Sequence, residues 1–139
     1  MRNVLIAFCL ISLFTASGCG AASAKTYHVK GKLTNGGKSP VPDNKAGLTI
    51  VFLPLDPEAK KATYTAAFNG DDNTYEVFGP DGKGVPAGKY KVTLLMMSPG
   101  FAGEAKFNDQ YSSSKSPIEV EVTSDKNDQD IDLSKYSKT

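Results

Sequence analysis

The sequence predicts an all-β fold, a seven-stranded antiparallel β-sandwich that follows an N-terminal export signal. Apolar residues recur with period two along most of the chain, and no stretch after Cys19 carries them at helical spacing over three turns. Short strands with one apolar face each are stable only when two sheets bury those faces against each other. The chain has 139 residues, 40% of them hydrophobic, which fits one domain and excludes a multidomain enzyme.

The N-terminus has the pattern of a secretory signal peptide. Arg2 precedes an apolar run at 4–14, and small residues follow at 15–18. The run is shorter than the ~18 apolar residues that a membrane-spanning helix needs, so cleavage is expected. Two outcomes of cleavage are open: plain secretion, with cleavage near Ala22 or Ala24, and attachment of lipid to a cysteine at the cleavage site.

The cysteine directly after Ala16-Ser17-Gly18 resembles the lipobox of bacterial lipoproteins, with alanine at the position where leucine is usual. The resemblance implies a lipoprotein signal peptide at 1–18 and acyl chains such as palmitate on Cys19. Cleavage before Cys19 would leave a short tether at 19–25 ahead of the β-sandwich domain that the strand pattern predicts at 26–139. Cys9 would leave with the signal, so the mature domain would contain no thiol.

The first two strands are predicted at 26–34 and 47–53. Asn35-Gly36-Gly37 ends the first as a turn, and Pro54 closes the second. The second strand is apolar on both faces, because Val51, which lies on the face opposite the inward-facing residues, is also apolar. It is therefore expected to be covered on both sides.

The middle of the chain predicts a hairpin and one long strand. Strands at 62–68 and 74–78 are joined by a polar loop at 69–73. The strand at 89–97 has the clearest alternation. Tyr90, two residues after a glycine, fits a corner tyrosine whose hydroxyl bonds back to the backbone.

The last third is predicted as a loosely ordered segment and two strands. The segment at 98–116 is polar and contains glycine, so it is expected to be the least ordered part. A sixth strand at 118–122 and a last strand carrying Ile131 and Leu133 follow. The predicted core is Val29, Leu33, Leu48, Ile50, Phe52, Tyr64, Phe68, Tyr75, Val77, Tyr90, Val92, Leu94, Ile118, Val120, Val122, Ile131 and Leu133.

Several of these pieces, in this order, resemble small lipoproteins abundant in planctomycete bacteria, which look related to carboxypeptidase regulatory-like and transthyretin-like domains. The resemblance implies a sandwich near the immunoglobulin-like class, in the cell envelope, and no reaction. The pieces are Cys19, Val29-Lys30-Gly31-Lys32-Leu33 with Asn35-Gly36, Leu48-Thr49-Ile50-Val51-Phe52, Pro86-Ala87-Gly88-Lys89-Tyr90-Lys91-Val92, Tyr111, Ser116-Pro117-Ile118-Glu119-Val120 and Ile131-Asp132-Leu133.

Charge and residue types exclude several kinds of chemistry. A net charge of +1 gives no field for nucleic-acid binding, and neither cysteine lies near a thiol or histidine at zinc-ligand spacing. His28 is predicted on the surface without a nucleophile or an orienting carboxylate. An isopeptide bond from Lys30 or Lys32 to the last strand is disfavoured, since that strand offers aspartates and both lysines are expected to face solvent.

Two ligands remain as alternatives. The oxygen-rich turns favour backbone turns but would suit calcium; they are Asp71-Asp72-Asn73 and the group Asp125, Asn127, Asp128, Asp130 and Asp132. A glycan would need exposed rings, for which Tyr27, Tyr111 and Tyr136 are the candidates, although Tyr111 could instead tuck into the sandwich edge. The outward charges are expected to pair across strands, with Lys30, Lys32, Lys89 and Lys91 against Glu119, Glu121, Asp130 and Asp132.

The sequence therefore predicts a monomeric, non-enzymatic lipoprotein of the cell envelope. We expect it to be attached through lipid on Cys19 to a membrane and exposed to the periplasm or cell surface. It is expected to act as a structural or protein-interaction module, with an envelope protein or glycan as partner and no metal, cofactor or nucleic acid. A glycan- or calcium-binding module is the alternative function.

Overall fold

A computed structural model describes residues 25–42, 46–59, 62–124 and 127–136. The signal peptide predicted at 1–18, Cys19 and nearly all of the tether predicted at 19–25 lie outside the described residues, as does Asp125. About 46% of the structure is strand and 12% is helix, which confirms a mostly β fold.

The strands follow the predicted order with small shifts at their ends. The first predicted strand is divided at His28, since the residues before it pair elsewhere. The elements are β1 Thr26–Tyr27, β2 Val29–Thr34, β3 Gly47–Pro54, β4 Tyr64–Asn69, β5 Thr74–Phe78, β6 Val85–Pro86, β7 Gly88–Met97, α1 Glu104–Gln110, β8 Glu119–Val122 and β9 Ile131–Asp132, with 3-10 turns at Pro80–Gly82 and Leu133–Lys135.

Seven of the strands form one curled sheet in the order β8-β7-β3-β4-β5-β2-β9, and β1 pairs with β6 in a separate two-stranded sheet. The pairing is antiparallel except between β2 and β9, where Leu33 lies beside Ile131 in parallel register. The expectation of purely antiparallel strands is therefore wrong for this pair. β8 is antiparallel to β2, so β8 ends at the side of the sheet where β2 begins. The chain then turns and enters the opposite edge of the sheet as β9, in the same direction as β2.

The two edges of the curled sheet approach each other. The side chain of Gln129, just before β9, donates a hydrogen bond from Nε2 to the carbonyl of Glu121 in β8 at 2.8 Å. The curl encloses the apolar faces of the strands. A single sheet therefore supplies both walls of the core.

The predicted core is buried except for Phe68 and Val120, which are half-buried and pack against it. The predicted core omitted Ala66 and Met96, which lie at inward positions of β4 and β7. It also omitted Val41, Val85 and Tyr111, because these come from segments without strand periodicity. The rings of the core contact one another: Phe52 lies 6.0 Å from Tyr75 and 6.1 Å from Tyr90, and Tyr64 lies 5.9 Å from Tyr90.

The corner tyrosine is confirmed. The hydroxyl of Tyr90 donates a hydrogen bond to the carbonyl of Pro86 at 2.7 Å, four residues back. Burial, with a smaller effect from Tyr64, raises the pKa of Tyr90 to about 12. The preceding loop is held by Gly84, whose φ of +85° suits glycine and where a Cβ would lie 2.1 Å from the carbonyl oxygen of Tyr27.

The expectation that 98–116 is the least ordered part is wrong. This segment contains α1 and the buried Tyr111, and its carbonyl at residue 111 accepts a hydrogen bond from the amide of Leu94 at 3.1 Å. Phe107 of α1 packs on Tyr111 with ring centres 4.9 Å apart. The order of this segment comes from its contacts with β7, which composition does not reveal.

Candidate functional site

An open groove of about 620 Å³ lies on the outer face of the sheet, across β2, β4 and β5 and beside the segment that leads into β9. Its volume is in the range of small-ligand sites. Most of the side chains that line it point away from the core. They are Lys30, Gly31, Lys32, Ala67, Phe68, Asn69, Thr74, Tyr75, Glu76, Phe78, Asp128 and Asp130.

Strand register places opposite charges side by side in this groove. Lys30 lies opposite Glu76 across β2 and β5, and Asp128 bridges to Lys30 on the other side. The Lys30 ammonium lies 4.0 Å from the carboxylate of Asp128. These side chains are solvent-exposed, and such pairs contribute little to stability. Their polar atoms are therefore available to a ligand.

His28 lies beside this row of charges. Its Nδ1 lies 3.8 Å from the carboxylate of Glu76, and both side chains are exposed. The sequence places His28 on the surface correctly, but it does not reveal the neighbouring carboxylate, since 48 positions separate the two residues. Only the pairing of β2 with β5 brings them together.

Phe78 and Ala67 give the groove an apolar section. Phe78 is 49% exposed at the end of β5, and Ala67 faces outward from β4. Antiparallel pairing aligns Val77 with Val29, so the end of β5 lies beside the start of β2. The apolar part of the groove is therefore near the point where the chain enters the sheet.

A partly buried hydrogen bond fixes the floor of the groove. Tyr75 lies opposite Gly31 across β5 and β2, and its hydroxyl donates to the carbonyl of Gln129. Burial, with a smaller effect from Asp130, raises the pKa of Tyr75 well above its usual value. The Tyr75 ring therefore links the floor of the groove to the segment before β9, which forms one wall of the groove.

The acidic turns use their carboxylates to hold the backbone. The carboxylate of Asp72 accepts hydrogen bonds from the amide and the hydroxyl of Thr74. Asp130 accepts the amide of Lys32 at 2.8 Å, and Asp132 accepts the amide of Gly36 at 2.8 Å and that of Ser134.

These bonds favour the ionised carboxylates, so they lower the pKa of Asp72 and of Asp132. Within the described ranges, no three His, Cys, Asp or Glu side chains are grouped to hold a metal ion. The carboxylates of Asp72, Asp130 and Asp132 hold backbone amides in this structure.

The three tyrosines considered for a glycan platform are not exposed together, as such a platform requires. Tyr111 is buried at 3% exposure, which agrees with the alternative that it tucks into the edge. Tyr27 and Tyr136 are partly buried against the core. The exposed ring of the groove is that of Phe78, which no sequence pattern distinguishes as a binding residue.

Register places two of the predicted charge pairs opposite each other. Lys89 lies opposite Glu121, and Lys91 opposite Glu119, across β7 and β8. Lys30 and Lys32 face solvent, as expected. Lys30 is closest to Asp128, while Asp130 binds the backbone of the second strand rather than an ammonium group.

No family model, curated protein or solved structure matches this chain. Among the described helices, none is long and apolar enough to cross a membrane.

Proposed function

We propose that this chain is an exported lipoprotein, attached to a membrane through lipid on Cys19, whose domain is a non-catalytic interaction module of the cell envelope. We also propose that the curled sheet closes into a β-sandwich and that the chain is related to the small planctomycete lipoproteins that it resembles. The cysteine after Ala16-Ser17-Gly18 supports the anchor. The bond from Gln129 to the carbonyl of Glu121 supports the closure, since it ties the two edges of the sheet.

The short tether would keep the domain near the membrane. Tyr27 lies eight residues beyond Cys19, and at full extension this length of chain reaches at most about 28 Å. Several acyl chains, at ~0.8 kcal/mol for each buried CH2, would make the attachment stable. The groove, whose apolar end lies beside the start of β2, would then face partners close to that membrane.

The outer groove is the observation that carries the interaction role. It combines an exposed phenyl ring with ammonium and carboxylate groups from three neighbouring segments, none of which the core needs for burial. Interfaces use aromatic side chains as anchors and charged groups for orientation. A protein of the envelope is the partner that this mixture favours.

Two measurements test the proposal. Intact mass of the protein extracted from its native membrane is expected to match residues 19–139 plus acyl chains, and Cys19→Ala is expected to lose that species. In-cell cross-linking is then expected to recover one reproducible envelope protein whose yield falls with Lys30→Glu. An unacylated mass that begins after Ala22 or Ala24 contradicts the anchor.

A glycan is the second candidate ligand, favoured by Phe78 next to Glu76 and Lys30. A sugar ring stacks its C–H face on an aromatic ring while its hydroxyls bond charged side chains. Binding of neutral oligosaccharides on a glycan array, lost in Phe78→Ala and kept in Leu95→Ala, would favour this candidate over a protein partner. Calcium is tested by the melting temperature with and without the ion.

A further inference from the structure

The edge of β7 beyond β8 is covered by side chains of α1. The amide of Met96 donates to Oδ1 of Asn108 at 2.6 Å, and Nδ2 of Asn108 donates to the carbonyl of Met96 at 2.9 Å. One turn earlier in the helix, the Glu104 carboxylate accepts the amide of Ser98 at 3.0 Å. These are the positions where an adjacent strand would bond.

Asn108 imitates a strand in its bonding to β7. In an antiparallel pair, a residue at a hydrogen-bonded position donates its amide and accepts at its carbonyl from the same neighbour. The carboxamide of Asn108 supplies both partners to Met96. The covered edge is therefore shaped to bond the backbone of an extended peptide.

The cover is weakly attached. α1 has seven residues, none of them buried, and no side chain caps its N-terminus. Helices this short are unstable alone, and elements with few buried contacts open at low free energy. Its attachment therefore depends mainly on Asn108, Glu104 and the packing of Phe107 on Tyr111.

We propose that α1 is a removable cover and that a second copy of this chain pairs with the uncovered edge, β7 against β7, about a two-fold axis at Met97. In that register Met96 of one copy lies opposite Ser98 of the other. Their amides and carbonyls exchange hydrogen bonds on both sides of the axis. Asn108 and Glu104 release the amide and carbonyl of Met96 and the amide of Ser98. The carbonyl of Ser98 exchanges the amide of Phe101, which it accepts at 3.0 Å in the turn before α1, for an amide of the second copy. The bond of Leu94 to the carbonyl of Tyr111 is kept.

The side chains beside the axis favour a second copy. Leu95 and Met97 point outward on one face and are 49% and 55% exposed. The two-fold axis places the Met97 side chains opposite each other with Leu95 on the diagonal, which buries apolar surface from both copies. No charged residue occurs between Lys91 and Glu104 to repel another copy, although edge strands are commonly protected by charge.

This inference names a partner beyond the proposed envelope role, and it stands whether or not Cys19 carries lipid. The test uses residues 20–139, which contain the entire described core and no cysteine. Asn108→Ala should uncover the edge and lower the dimer dissociation constant about tenfold or more in sedimentation equilibrium, because two bonds of the cover are lost. Adding Leu95→Asp should abolish the gain, while Phe78→Asp, at an equally exposed position on β5, should leave it.

Cross-linking tests the same register without disturbing the cover. Residues opposite each other at a non-hydrogen-bonded position have Cα atoms about 4.5 Å apart, which a disulfide can join. Met97→Cys should therefore form a disulfide dimer under copper-phenanthroline oxidation much faster than Phe78→Cys. Adding Asn108→Ala should increase the rate further.

Three results would overturn the inference. One is an Asn108→Ala protein that is folded by circular dichroism but monomeric at every soluble concentration. Another is association that Leu95→Asp does not weaken, or that continues past the dimer. The third is equal cross-linking at positions 97 and 78, which needs only the two single-cysteine proteins and so remains decisive if Asn108→Ala unfolds.

Discussion

Tyr75 lies directly opposite Gly31 in the sheet, and its hydroxyl bonds the Gln129 carbonyl at the place where a side chain on residue 31 would lie. An ideal Cβ on Gly31 would be 2.2 Å from that carbonyl oxygen. The missing side chain lets the segment before β9 approach β2, and the tyrosine ring covers the glycine. This pair therefore holds the β9 edge of the sheet in place.

Gly31→Ala is expected to destabilise the fold by about 2 kcal/mol or more, because the added methyl group meets backbone rather than a movable side chain. Urea unfolding measures the loss. Gly47→Ala is the matched control in β3, since the nearest atom to its Cβ would be the flexible end of the Met97 side chain at 3.4 Å, an ordinary van der Waals distance. Equal effects of the two substitutions would contradict this account of the Gly31 contact.

Tyr90→Phe is expected to cost about 1–2 kcal/mol, because it leaves the Pro86 carbonyl without its partner while the ring still packs. The wild type should also lose stability at high pH. The folded pKa of Tyr90 is about 12, above the usual 10.0, so its contribution is complete below pH 10 and is lost as the pH rises toward 12. Chemical unfolding at about pH 9 to 12, a range that spans the usual and the folded pKa, should show a shallower fall of the unfolding free energy in Tyr90→Phe than in the wild type. Parallel curves would exclude this role of the hydroxyl.

Asp132 should contribute to stability in the opposite pH direction. Bonds from the amides of Gly36 and Ser134 lower its folded pKa below the usual 3.8. Its contribution is therefore present above that pH and is lost as the pH falls through the folded pKa. Melting temperatures in acid should fall less steeply in Asp132→Asn than in the wild type, whereas Asp71→Asn in an exposed turn should follow the wild type.

Cys19→Ser is expected to move the protein from the membrane fraction to the soluble fraction, since the proposed acyl chains have no other attachment point. Cys9→Ser is the matched control, because Cys9 lies inside the predicted signal peptide and should be absent from the mature protein. Fractionation with intact mass measures both. A Cys19→Ser protein that stays in the membrane fraction would remove the basis for the lipid anchor.

Charge reversal in the groove separates binding from folding. Lys30→Glu should leave the unfolding free energy within about 0.5 kcal/mol, because exposed pairs contribute little, yet it should reduce partner capture. Lys89→Glu, also exposed but outside the groove lining, is the control for capture. A large loss of stability in Lys30→Glu would show that the charged row serves the fold.

The sequence by itself determined the β-rich class, most of the strands and most of the core. Period-two patterns carry that information locally, as in β3 and β7, where alternate residues are buried as predicted. It also determined the corner bond of Tyr90, because donor and acceptor are four residues apart. Local spacing was sufficient for these features.

Only the tertiary structure decided the rest, because the remaining contacts join residues that are distant in sequence. The order of 98–116 depends on Asn108 and Glu104 meeting the edge of β7. The parallel pairing of β9 and the groove depend on where the chain returns after β8. Side-chain periodicity identifies the face of a strand but not its neighbour, so these arrangements arise only when the sheet curls and its edges meet.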